Sequence, residues 1–70
     1  MDYNVRLIPE AEGGYSVLVP GLPGCVSQGK TRAEAVANIR DAIQGYLHSL
    51  KKHNEPVPGP VVEEIVEVQV

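Results

Sequence analysis

Apolar positions along this chain follow two periods, and the change from one to the other outlines the fold. Over residues 2–10, Tyr3, Val5 and Leu7 fall on one side and Asn4, Arg6 and Ile8 on the other, the alternation of a half-buried strand. Residues 15–19 repeat it, with Tyr15, Val17 and Val19 on one face. Between them residues 9–14 read as a turn in which Gly13 and Gly14 can take positive φ, so the two strands are predicted to pair as an antiparallel hairpin. The breaker cluster Pro20-Gly21-Leu22-Pro23-Gly24 follows, and Leu22, apolar between two prolines, is expected to pin that loop onto the domain. Residues 25–28 read as a short third strand that Gly29 ends.

From Thr31 the period lengthens. Val36, Ile39, Ile43, Tyr46, Leu47 and Leu50 recur at steps of three and four and draw one helical stripe over residues 31–52. Thr31 and Glu34 have the spacing of a capping box. Lys51, Lys52 and His53 suit the negative end of the helix dipole, and Pro56 forbids continuation. A helix of this size is about 30 Å long. The entropy of ordering it exceeds what one apolar stripe returns, so it needs a sheet to lie on. Residues 54–60 read as a proline-rich connector, and residues 61–70, with Val66, Val68 and Val70 on one face, as a closing strand. The expected fold is α+β in the order β-β-β-α-β. It has an antiparallel three-stranded meander, one long helix packed on one face, and a fourth strand parallel to the first. Residues 1–70 make one domain.

Composition narrows the class. A chain of 70 residues supports only a small core, and a single cysteine allows no internal disulfide, so self-association into a homo-oligomer is expected. No stretch has the length of a membrane span or the layout of a signal peptide, which predicts a cytoplasmic protein without membrane contact. The formal net charge of −3 argues against direct nucleic-acid binding and suits a basic protein partner.

Few residues invite chemistry. His48 and His53 lack convergent partners and read as helix-surface residues; Cys25 reads as a buried structural thiol. A nuclease-type carboxylate set would need acids converging from central strands and the helix. Glu10 and Glu12 instead sit at the hairpin tip, Glu34 caps the helix, and Glu63, Glu64 and Glu67 fall in the closing strand. No catalytic residues, metal ligands or cofactors are assigned. Gly45 marks either a close approach by another backbone or a tolerated surface glycine. The partner-binding candidates are Glu10 and Glu12, as exposed charge, with Pro20, Leu22 and Pro23, as rigid backbone with an apolar anchor. The alternative for the loop is that Leu22 and the prolines only shape the strand junction.

Three ordered stretches together carry a resemblance: Glu12-Gly13-Gly14-Tyr15 with Val19-Pro20; Leu22-Pro23-Gly24-Cys25 with Ser27-Gln28-Gly29-Lys30-Thr31; and Glu34-Ala35, Asn38-Ile39, Ala42-Ile43 and Tyr46-Leu47 before Pro56. Over essentially its whole length the chain resembles the HicB-like antitoxins. The resemblance implies a partial ribonuclease-H-like fold without nuclease function. It also implies a task, binding a small HicA-like mRNA-cleaving toxin and covering its active-site histidine and RNA surface. Many members carry a C-terminal DNA-binding domain; this chain reaches Val70 without one, so own-promoter repression is not expected of it. The readings that compete are a residual metal-dependent ribonuclease-H-like nuclease and an orphan scaffold or ligand-binding module without a toxin.

Overall fold

The hairpin forms where alternation and turn chemistry agree. In the computed structural model, which describes residues 2–59 and 65–69, β1 (Arg6–Pro9) pairs antiparallel with β2 (Tyr15–Leu18), and β2 with β3 (Val26–Gly29). The sheet order is β1-β2-β3, so β2 is central. Gly13 and Gly14 turn the chain at φ values of +99° and +83°, a region closed to most side chains. Pro9, which cannot donate to a ladder, ends β1, which lies at the sheet edge among the described residues. β1 is shorter than the alternation predicts, yet Tyr3 and Val5 ahead of it still pack on the core.

Helix α1 (Arg32–Lys52) begins as its capping box dictates. Thr31 is the N-cap, its hydroxyl accepting from the Glu34 N–H at 3.1 Å, while the Glu34 carboxylate accepts from the Lys30 N–H at 3.2 Å. The helix lies over β3 and β2 rather than centrally across the sheet. Its most buried positions are Ala35 and Ile39, flanked by Ala42, Ile43, Tyr46 and Leu47. The stripe read from large residues thus misses its own centre: Ala35, the smallest apolar side chain on the helix, is where the two backbones come closest.

That approach depends on Gly29. A Cβ on Gly29 would lie 2.4 Å from the Ala35 backbone nitrogen and 2.7 Å from its Cα. Close backbone contact therefore occurs at Gly29, the last residue of β3, and not at Gly45, where an added methyl would meet nothing within 4 Å. Among the described residues the buried core is Val17, Val19, Leu22, Cys25, Ala35 and Ile39.

The closing strand is the one expected element that the described residues do not contain. Residues 61–64 and 70 lie outside them, and residues 65–69 pair with no strand, with Ile65, Val66 and Val68 exposed. Alternation confers strand potential, but a strand exists only against an edge that accepts its hydrogen bonds, and these five residues do not lie on one.

Two glycine substitutions should move stability in opposite directions. Gly29→Ala drives a methyl into helix backbone and should cost about 2–3 kcal/mol. Gly45→Ala, on an open helix face, should gain about 1 kcal/mol. Thermal unfolding followed by the helical circular dichroism signal reads both.

Candidate partner-binding surface

The β1–β2 tip is a tight, internally bonded loop. The Glu10 N–H donates to the Gly14 carbonyl at 3.0 Å, and the Gly13 N–H donates to the Glu10 carbonyl at 3.0 Å. The Ser16 hydroxyl donates to the Glu10 carboxylate, which steadies that side chain. The β2–β3 register sets Tyr15 opposite Gly29, so the tip stands beside the junction of β3 and α1. Glu10 and Glu12 consequently share one open concavity with Lys30 and Glu34. Three carboxylates and one ammonium give this surface a local charge of −2. Glu34 serves both as helix cap and as one acidic wall; capping is legible from its spacing, whereas its place beside Glu10 and Glu12 follows only from strand register.

At the other end of β2, the loop from Val19 to Cys25 is two linked turns. The Leu22 N–H donates to the Val19 carbonyl and the Cys25 N–H to the Leu22 carbonyl, each at 3.0 Å, and the Val19 N–H donates to the Cys25 carbonyl at 3.2 Å. Tyr46 from α1 adds a tie, its hydroxyl donating to the Pro23 carbonyl at 3.0 Å. Pro20 is half-buried and Pro23 exposed. Leu22 is fully buried in the core, so its side chain pins the loop, as expected, but offers a partner nothing. The acidic tip and the proline loop are separated by the length of β2, about 13 Å at four residues. They form two patches rather than one site.

The remaining polar candidates lie outside both patches' lining. Cys25 is buried, and desolvation raises its thiol pKa above the ordinary value, which disfavours the nucleophilic thiolate. His48 is exposed on the helix, and His53 closes its C-terminus, with Nδ1 2.8 Å from the Ser49 carbonyl oxygen. Among the described residues no three His, Cys, Asp or Glu side chains are grouped to hold a metal ion.

Two substitutions probe these supports. Tyr46→Phe, losing one bond to the proline loop, should cost about 1 kcal/mol in urea unfolding. Because the folded state favours the protonated Cys25 thiol, its contribution is fully present below the unfolded thiol pKa and is lost as pH rises from there through the raised folded value. The urea midpoint should therefore fall more steeply with pH in the alkaline range for the wild-type chain than for Cys25→Ala.

Comparison with known proteins agrees with the motif pattern. A family model described as a HicB-like antitoxin of bacterial toxin–antitoxin systems matches residues 3–69. A UPF0150 protein of Thermoplasma acidophilum is 52% identical over 65 residues, covering 93% of this chain and 94% of that protein. Antitoxin HicB 1 of Photorhabdus laumondii is 41% identical over 70 residues, and Antitoxin HicB of Escherichia coli K12 is 38% identical over 60. These matches cover 97% and 86% of this chain, but only 45% and 44% of the two antitoxins. With a family match that takes in the hairpin, the proline loop and the helix together, this chain belongs to the HicB-like antitoxins of bacterial toxin–antitoxin systems.

Proposed function

We propose that this chain binds a HicA-like mRNA-cleaving toxin and neutralises it sterically, without chemistry of its own. The observation that carries the reading is the family match over residues 3–69, and the acidic concavity at the hairpin tip gives it a physical form. A ribonuclease that holds RNA must present a basic surface, and three carboxylates held beside a rigid turn are complementary to it. Glu10 and Glu12 supply the charge at the contact. Pro20 and Pro23 supply a second, stiff contact that costs little entropy to order, with Leu22 holding it from beneath. Covering the toxin's active-site histidine and RNA surface requires only that the complex outlast the toxin's encounters with mRNA.

The complex forms in the cytoplasm, where mRNA is, and the antitoxin acts as a homo-oligomer. Among the described residues no helix is long and apolar enough to cross a membrane. Binding is to protein, without direct contact to nucleic acid.

The test is reconstitution with the toxin encoded beside this gene. Adding the chain in equimolar amount should stop RNA cleavage by the purified toxin. Glu10→Lys with Glu12→Lys should weaken the complex roughly tenfold or more, chiefly through slower association, and should flatten its salt dependence. Undiminished cleavage at saturating antitoxin would overturn the proposal.

A further inference from the structure

Alternation gives the sheet two faces of different character. Leu7 and Val17 turn toward the helix, Val17 buried in the core and Leu7 packed against it. On the opposite face the register sets Arg6, Leu18 and Val26 in one row, and Ile8, Ser16 and Gln28 in the next. Val26 is 65% and Ile8 40% exposed, and with the half-buried Leu18 they make an apolar patch across all three strands. Single exposed apolar residues need no explanation, but a patch spanning a sheet face marks a contact surface. The charges on this face are arranged about Ile8. Arg6 stands two residues before it and Glu10 two residues after it, both exposed, and by alternation all three point the same way. The Ser16 hydroxyl, which donates to the Glu10 carboxylate, holds that carboxylate on the same face. A cation and an anion thus lie about 7 Å to either side of one isoleucine.

We infer that a second copy of this chain packs on this face, sheet against sheet, about a twofold axis that runs across the strands through Ile8. The inference rests on the self-association proposed above and not on the toxin reading. Such an axis lays β1 antiparallel over β1 of the second copy, in the aligned manner of packed sheets. Ile8 then meets Ile8, and Arg6 of each copy meets Glu10 of the other, so one pairing rule satisfies both ends of the patch and the assembly closes as a dimer.

The neighbouring positions agree with this axis. The Glu10 N–H donates to the Gly14 carbonyl, so the row beyond Ile8 is Glu10, Gly14 and, one step past β3, Lys30. Leu18 therefore falls over the glycine tip of the second copy, where no side chain stands in its way, and Val26 falls beside the apolar stem of Lys30. An axis along the strands would instead set Arg6 against Val26 and Ile8 against Gln28, opposing polar to apolar at both positions. With Arg6 of the second copy on Glu10, Glu12 and Glu34 still hold the tip concavity negative.

The test uses the full chain. Light scattering after gel filtration should report a dimer. In a sample mixing labelled and unlabelled chains, intermolecular NOEs should connect the Ile8 methyls of the two copies. Ile8→Asp with Val26→Asp should raise the dimer dissociation constant on the order of a hundredfold while the helical signal persists, since neither residue is in the core. Arg6→Glu should weaken the dimer roughly tenfold, and adding Glu10→Arg, which exchanges the two charges, should restore it. A monomer at every concentration would overturn this inference and the self-association with it. A dimer that keeps its affinity through the Ile8 and Val26 substitutions would overturn the inference while leaving self-association intact. If those substitutions leave the dimer whole but abolish inhibition of the toxin, the face belongs to the toxin and the inference falls.

Discussion

The contact between Gly29 and the first turn of α1 is the constraint on which the rest of the structure depends. A strand end and a helix start can lie backbone to backbone only if the strand offers no side chain and the helix offers a small one. Gly29 and Ala35 meet both conditions, and Ala35 is fully buried there. The capping box fixes where the helix begins, so the close approach and the cap define one geometry between them. Everything the helix touches later, from Ile39 to the Tyr46 tie on the proline loop, follows from the direction in which it leaves Gly29.

That direction carries the helix over β3 and β2. Among the described residues six side chains form the buried core, and the large apolar side chains around it are only partly buried. A domain this small has little stability in reserve, so covering exposed apolar surface through assembly has a large relative effect.

The two patches proposed for partner binding differ in physical character. At the hairpin tip, charge is held at the end of a short, bonded turn, a form suited to steering a basic partner into contact. At the other end of β2, a proline loop is fixed from inside by Leu22 and from the side by Tyr46, so its exposed backbone is already ordered before any partner arrives. Apart from these patches, Cys25 is buried with its thiol pKa raised by desolvation, and His53 closes the helix with Nδ1 beside the Ser49 carbonyl.

How much of this was legible in the sequence depends on the range of the interaction responsible. Local rules settled the three strands, the glycine turn at residues 13–14, the capping box at Thr31 and Glu34, and the buried state of Cys25, because alternation, φ preference and side-chain-to-backbone bonding act within a few residues. The family was legible for the same reason: its motifs are the residues those local rules demand. The tertiary structure alone decided that Glu34 joins Glu10 and Glu12, and that Gly29 rather than Gly45 marks the close approach. It also decided that residues 65–69 stand apart from the sheet. Each of these turns on which surfaces meet across long sequence separations. A residue's type sets what it can satisfy, but only the packed fold determines which partner comes within reach.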